Sequence, residues 1–395
     1  NLLTVKVDGS ENPEIPPFGG QIDYLTYAGI YREAWLRVTA PVYVGNAKIE
    51  TPNVLADKKS VRARIDLANP QNLDLTGTLI ATLKDASGAV IATTDAAISG
   101  PSAEIALDDL AGITLWDLDT PALYTLAVTI DTPAGQDEAS FRFGFRSAEF
   151  TTEGFKLNGK VLKLRGLNRH QSFPYVGYAL GKSAQERDAE ILKDTLKVNS
   201  VRTSHYPQSH YFLDRCDEIG LLVFEEIPGW QHIGGPAWKD EAVENVRRMI
   251  TRDWNHPSII IWGVRINESQ DDHDFYVRTN DLARELDSTR ATGGVRYITE
   301  SELLEDVYTM NDFILGNEEW GGNRPRTPLR PQQEVTGLDR VVPYMITEFG
   351  GHMYPTKSWD QEQRQAEHVL RHLEVLNAAY GDPQIAGCIG WCAFD

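Results

Sequence analysis

Cysteine is scarce in this chain, with three among 395 residues, at Cys216, Cys388 and Cys392. Thiols so few and scattered cannot form a disulfide framework, and none falls in paired motifs with metal-ligand spacing, so buried free thiols are expected. Long apolar runs are missing as well. No stretch approaches the roughly 18 to 20 residues that span a bilayer, and the opening NLLTVKVDGSENPEIPP lacks the basic-then-apolar order of a secretory signal. The default expectation is a cytoplasmic protein, although the abrupt start of Asn1 on a strand-like LLTVKV leaves room for an upstream segment carrying a signal. Positive charge is in deficit, since 38 Lys and Arg against 57 Asp and Glu give a formal charge of −19. Such a surface repels phosphate backbones and anionic lipid, which argues against nucleic acid and membrane partners and favours neutral or cationic small molecules.

What is present is ordinary globular material. Hydrophobic residues make up 41% and charged residues 24%, so there is enough apolar side chain for a packed core and no disordered tail. The length exceeds the ~250 to 300 residues at which one core stops growing, so two or three domains are expected. Up to about Arg146 the pattern is all β, with alternation at Val61, Ala63, Ile65 and Leu67 and again at Leu126, Val128 and Ile130. Turn signals at Asn69-Pro, Asp85-Ala-Ser-Gly and Thr132-Pro-Ala-Gly give residues 44–146 the spacing and length of one immunoglobulin-like β-sandwich. Residues 1–43 read as the remnant of another β domain.

After Phe150 apolar runs alternate with amphipathic helical stretches, the pattern of a parallel α/β architecture. Eight candidate strands, at 161–166, 200–204, 221–226, 259–264, 295–299, 306–310, 343–347 and 388–394, argue for a closed (β/α)8 TIM barrel over 147–395, lacking its last helix in this chain. In such barrels the site forms where the C-terminal strand ends converge. Those ends carry Asn168, Arg169 and His170, then Arg202, His205 and Tyr206, Glu225 and Glu226, Asn267 and Glu268, Glu348, and finally Trp391 and Asp395. Paired carboxylates beside Trp, His, Arg and Asn are what glycosidic bond cleavage requires: an acid for the leaving oxygen, a partner for the anomeric carbon, aromatic faces for the sugar. On position alone Glu225 and Glu226 have the same claim as Glu268 and Glu348, and His170 and His205 fit a structural role equally well.

The segments FKLNGKVLKLRGLNRH, VNSVRTSHYP, DEIGLLVFEEIPGW, NHPSIIIWGVRINES, PYMITEFGG and GCIGWCAFD, taken in order, resemble glycoside hydrolase family 2, the family of β-galactosidases, β-glucuronidases and β-mannosidases. GIYREAWL and LWDLDTPALYTL are similar to the end of that family's sugar-binding jelly roll and to its immunoglobulin-like domain, so residues 1–43 are expected to be part of a jelly roll. The resemblance implies that Glu268 is the general acid/base and Glu348 the nucleophile of a retaining exo-β-glycosidase, with carboxyls about 5 to 5.5 Å apart. Glu268 then has to hold a proton near neutral pH and Glu348 has to stay ionised, with Arg202 as its nearby cation. The resemblance further implies that Asn267 binds the sugar 2-hydroxyl, that His170 and His205 line the sugar subsite and that Trp391 stacks on it. Asp23, which precedes Gly29-Ile-Tyr-Arg32, corresponds to an aspartate that reaches the sugar in the β-galactosidases of the family, and favours galactose.

Departures narrow this reading. Magnesium-dependent relatives carry Glu-x-His after strand three, whereas Trp230-Gln231-His232 offers no matching carboxylate, so no metal ligand is assigned and no ion is expected as required, a structural or activating Mg or Na ion being compatible with the chain but unsupported by this motif. His352 follows Glu348 by four residues where the family often has three, and the family's tyrosine near strand six has two counterparts, Tyr308 in the strand or the rim run Asn311-Asp312-Phe313. Trp230 and Trp320 are candidates for the aglycone side. The expected substrate is a terminal β-galactoside or small oligosaccharide. A β-glucuronidase is the alternative, a non-catalytic carbohydrate-binding protein is the reading from another class, and a homo-oligomer is compatible with both.

Overall fold

The computed structural model describes residues 2–313, 327–351 and 354–394. His352, Trp320 and Asp395 lie outside the described residues. Seven strands form the first compact unit: β1 (Tyr43–Glu50), β2 (Lys59–Ala68), β3 (Gly77–Lys84), β4 (Val90–Ile98), β5 (Ser102–Leu110), β6 (Tyr124–Thr132) and β7 (Gly135–Phe143). Sheet β1-β2-β5 packs on sheet β4-β3-β6-β7. The alternation read in the sequence is what drives this, because the alternate residues Val61, Ala63, Ile65 and Leu67 of β2 and Leu126, Val128 and Ile130 of β6 all enter one buried core.

A small antiparallel sheet, β8 (Ala148–Thr151), β9 (Gly154–Leu157) and β10 (Lys160–Leu162), leads into the barrel. The barrel strands are β11 (Leu164–Asn168), β12 (Ser200–Arg202), β13 (Leu222–Glu226), β14 (Ile259–Gly263), β15 (Ala291–Arg296), β16 (Val307–Asn311), β17 (Tyr344–Glu348) and β18 (Ile385–Gly390). They are parallel throughout, and β18 closes on β11 with Leu164 opposite Gly387. Around them run α1 (Lys182–Glu190), α2 (His210–Ile219), α3 (Pro236–Asp253), α4 (His273–Leu286), α5 (Gln332–Thr336) and α6 (Glu362–Gly381). Proline opens α3 at a position where its missing N–H costs nothing, and Asp272 caps α4 by accepting from Phe275 N at 3.2 Å.

Strand five starts four residues earlier than 295, the start expected from the sequence. Gly293 and Gly294, which resemble a turn signal, sit inside β15 because a Cβ on Gly294 would lie 2.3 Å from the Cβ of Arg265 and one on Gly293 would lie 2.7 Å from Ile261. Strand eight also ends earlier, at Gly390, so that Trp391 lies beyond the sheet. Residues 2–42 contain no strand, including the strand-like LLTVKV, since no neighbouring strand in this chain offers them a hydrogen-bond ladder. Part of this segment is fastened to the barrel instead. Trp238 Nε1 donates to Phe18 O at 2.8 Å, Tyr178 Oη to Leu25 O at 2.8 Å and Arg32 Nη1 to Tyr178 O at 2.8 Å. Among the described residues no helix is long and apolar enough to cross a membrane.

Candidate active site

Arg202, the last residue of β12, is fully buried and organises the barrel mouth. Its Nε and Nη2 grip Glu226 of β13, donating to Oε2 at 2.9 Å and Oε1 at 2.7 Å. Its Nη1 donates to Glu348 Oε1 at 2.6 Å and to Asn168 Oδ1 at 3.0 Å, while Nη2 also reaches Asn267 Oδ1 at 2.8 Å. A planar guanidinium with a rigid fork of donors can hold this many acceptors in fixed directions, which an ammonium cannot. Five strands, β11, β12, β13, β14 through its extension, and β17, are thereby referred to one cation. Asn168 anchors the arrangement from below, its Nδ2 donating to Thr347 O at 2.9 Å and Gly390 O at 3.1 Å.

Strand geometry separates the two glutamates that position alone left equal. Consecutive strand residues face opposite sides. Glu226 joins Arg202, whereas Glu225 turns to the helix layer, where its Oε1 accepts from Arg252 Nη2 at 3.2 Å. Glycine at 263 makes room for this, because a Cβ there would sit 2.3 Å from that of Glu226.

Glu268 lies just beyond β14 in the left-handed region, at φ +52°, and Gln231 opposite it is also left-handed, at φ +56°. Each costs about 1 to 2 kcal/mol relative to ordinary backbone, so the surroundings have to hold them. Glu268 N donates to Val295 O at 2.9 Å and Gln231 N to Asn267 O at 2.7 Å. The carboxylate is held by two neutral amides: Asn311 Nδ2 donates to Oε1 at 2.9 Å and Gln231 Nε2 to Oε2 at 3.1 Å. Asn311 Oδ1 in turn accepts from Thr347 Oγ1 at 2.9 Å, so a relay of uncharged groups runs from Glu268 to the residue preceding Glu348. Of the two counterparts for the strand-six tyrosine, Tyr308 is fully buried against Tyr344 in the core, and the rim position belongs to Asn311.

The charges around the two acids differ. Burial pushes Glu348 up to about 8; Arg202 opposes that, and the charges of Glu268 and Glu226 add to it. Burial among other carboxylates thus works against the ionisation that Arg202 favours at Glu348. Burial and then Arg202 hold the His205 imidazole well below its ordinary value, while burial, His205 and Arg202 push His170 down to about 3, so both are neutral rings. His205 Nδ1 lies 3.0 Å from Glu226 Oε1 and 2.9 Å from Arg202 Nη2. Trp391 stacks on His205 at 5.3 Å with planes 6° apart, and His170 meets Trp391 edge-on at 5.4 Å.

Six of the eight residues singled out in the sequence, Glu348, Asn267, His170, Arg202, His205 and Trp391, share this contact network, and Glu268 joins through Asn311 and Thr347. Asp23 is exposed beside Tyr24, whose ring packs 5.3 Å from His170 and 5.7 Å from His205. The sequence reading missed Tyr24, Gln231 and Thr347. Only their adjacency to Asp23, Trp230 and Glu348 pointed toward them. His232 stands apart, packed against Gly19, Gly20 and Trp238. The one grouping of metal-competent side chains among the described residues is Asp214, Asp217 and His256. It lies at the joint with the sandwich rather than at the mouth. Arg142 Nη2 lies 2.7 Å from Asp214 there, and His256 Nδ1 lies 2.6 Å from Asp217, so it is already an ion-pair cluster.

A family model described as glycosyl hydrolases family 2, TIM barrel domain, matches residues 148–372, more than half of the chain. The chain belongs to glycoside hydrolase family 2. A second model of glycosyl hydrolases family 2 matches residues 42–146, the sandwich. Among curated proteins the chain is 60% identical to a β-galactosidase of Rhizobium meliloti over all of its own length and 53% of that protein. It is 55% identical to a β-galactosidase of Thermoanaerobacterium thermosulfurigenes, again over its whole length and 55% of that protein. The chain thus spans about half the length of the curated relatives it matches. Among solved structures, a β-glucuronidase of Parabacteroides merdae superposes on 98% of this chain and 52% of its own, with TM-score 0.80 and 26% identity. The family 2 barrel and sandwich agree with the architecture read from the sequence.

Proposed function

We propose that the protein is a retaining β-galactosidase acting on terminal β-D-galactosides, with Glu348 as nucleophile and Glu268 as general acid/base. The observation that carries this is the asymmetry between the two carboxylates: one bonded to a buried guanidinium, the other cradled by two neutral amides, both at the rim of one barrel. Glu348, steered by Arg202, attacks the anomeric carbon while Glu268 protonates the departing oxygen. Water then releases the sugar from its ester, with Glu268 taking the proton. The like charges of two nearby carboxylates oppose double ionisation, which suits a free enzyme that enters the cycle with one proton between them, passes it to the leaving oxygen and regains it from water. Galactose is favoured over glucuronic acid by the names of the two relatives above. A panel of nitrophenyl β-galactoside, β-glucuronide and β-mannoside tests this. Turnover of the galactoside at least about 100-fold above the others in kcat/KM is expected. Preference for the glucuronide would move the protein to the alternative within the family.

Two further results are expected. Attack needs Glu348 ionised, and its proton leaves near pH 8, so kcat/KM for an activated galactoside should rise with pH along an acid limb ending near 8. A limb ending near 4.5, the ordinary carboxylate value, would show that Arg202 outweighs burial. Asn267 has its Oδ1 fixed by Arg202, while its buried Nδ2 has no partner among the described residues. An oriented donor left open in this way suits the substrate 2-hydroxyl, a contact that tightens in the transition state. Asn267→Ala should lower kcat/KM for the galactoside by about 100-fold, the scale of one lost donor, and for the 2-deoxygalactoside by less than about threefold. Equal losses on both substrates would remove Asn267 from this role.

A further inference from the structure

Away from the barrel mouth, a cleft of about 770 Å³ opens between the β1–β2 loop of the sandwich and the segments that lead into β14 and β15. This is within the usual size range for small-molecule pockets. Its charged lining is unusual. Arg146 donates from Nε to Pro257 O at 2.8 Å and from Nη2 to Ile259 O at 2.5 Å, and among the described residues no carboxylate lies within the 4.0 Å of an ion pair. Arg290 beside it is neutralised, its Nη1 donating to Asp287 Oδ2 at 2.6 Å. One positive charge is therefore left over. Burial, and then the charge of Arg290, pull the Arg146 guanidinium down to about 9 from an ordinary value of 12.5. An enclosed charge without a counter-ion is costly, and a guanidinium has five N–H donors, of which the two carbonyls take only part.

We propose that this cleft binds a monoanionic organic carboxylate, its carboxylate paired with Arg146 and an apolar body lying against Trp254 and Leu55. The leftover charge sets the valence at one. A second negative charge, as on a phosphate ester, is disfavoured by Glu50 on the cleft wall, whose ion-pair partner among the described residues, Lys48 Nζ, lies 2.6 Å away. The apolar body follows from Leu55, which is 53% exposed, and the indole of Trp254, both on the lining.

Benzoate is the probe, with benzyl alcohol as its neutral counterpart, titrated calorimetrically into the protein at pH 7 and matched ionic strength. Benzoate should bind at least tenfold more tightly than the alcohol, and a crystal soak should place its carboxylate within hydrogen-bond distance of Arg146. Arg146→Gln should abolish binding. Because that change also removes two main-chain anchors, Ser288→Glu supplies an independent variant: Ser288 is exposed on the cleft wall, and a negative charge there should weaken benzoate at least fivefold while aryl galactoside turnover stays unchanged. Equal affinity for benzoate and benzyl alcohol, benzoate binding untouched by Ser288→Glu, or density only at the barrel mouth would each overturn the proposal.

Discussion

Replacing Glu348 by Gln should lower turnover of an aryl β-galactoside by roughly 10³-fold or more, the loss typical of removing a group that forms the covalent intermediate. A loss below tenfold would reject the nucleophile assignment. Stereochemistry gives a sharper test. With Glu348→Ala a small anion such as azide can enter the space of the lost carboxylate and attack from its side, opposite the leaving group, giving the α-galactosyl azide. With Glu268→Ala the ester to Glu348 still forms from an activated substrate, and azide then attacks from the other face, giving the β-galactosyl azide. Identifying the two products by NMR assigns the roles, and the same anomer from both variants would contradict the assignment. Stability should change in the opposite direction to activity. The folded protein holds the Glu348 proton to about pH 8 while the unfolded chain releases it near 4.5, so this residue's contribution to stability falls as pH rises through that window. Glu348→Gln removes the dependence, and the variant should melt higher than the parent at pH 8.5 and similarly at pH 4.5.

Arg202→Met should be the most damaging single change at the mouth. The guanidinium is the cation bonded to two buried carboxylates, Glu226 and Glu348, at 2.7 and 2.6 Å. Removing one partner from a buried ion cluster costs about 3 to 5 kcal/mol, mostly the penalty of leaving charge uncompensated. Burial already raises Glu226 and Glu348, and Arg202 is the chief influence pulling both back down. Without it both acids keep their protons to higher pH. The sign follows from linkage: the folded variant binds more protons than its unfolded chain over a wider range, so its stability falls more steeply with rising pH than the parent's. Urea melts at pH 5.5 and 8.5 should show a larger deficit at 8.5. Activity should fall with it, because the nucleophile is protonated and its oxygen no longer held. Arg202→Lys keeps the charge but not the fork, so less than about a tenth of the activity should return. A deficit under about 1 kcal/mol at both pH values would mean that the network is not held by this residue.

Local pattern carried much of the architecture. Alternation placed β2 and β6, and eight apolar runs alternating with amphipathic stretches gave the barrel, because burying one face of an element leaves a period in the sequence. The strand expected at 295–299 starts earlier, at Ala291, although Gly293 and Gly294, read locally, signal a turn; only the side chains of Ile261 on the neighbouring strand β14 and of Arg265 just beyond it explain glycine within a strand. Residues 2–42 show the same limit from the other side, since strand-like composition makes no strand without a neighbour to pair with.

The two glutamates show the division most clearly. The six ordered motifs and the family they resemble singled out Glu268 and Glu348, and with them Arg202, Asn267, the two histidines and Trp391, where strand-end position alone left Glu225 and Glu226 their equals. What only the tertiary structure decided was the set of contacts across strands. Glu226 rather than Glu225 completes the Arg202 cluster, Gln231 and Asn311 hold Glu268, Tyr24 reaches the histidines from outside the barrel, and burial opposes the pull of Arg202 on the Glu348 proton. The reason is physical: hydrogen-bond geometry and desolvation depend on groups that are tens to hundreds of residues apart along the chain, and no local period records where they meet.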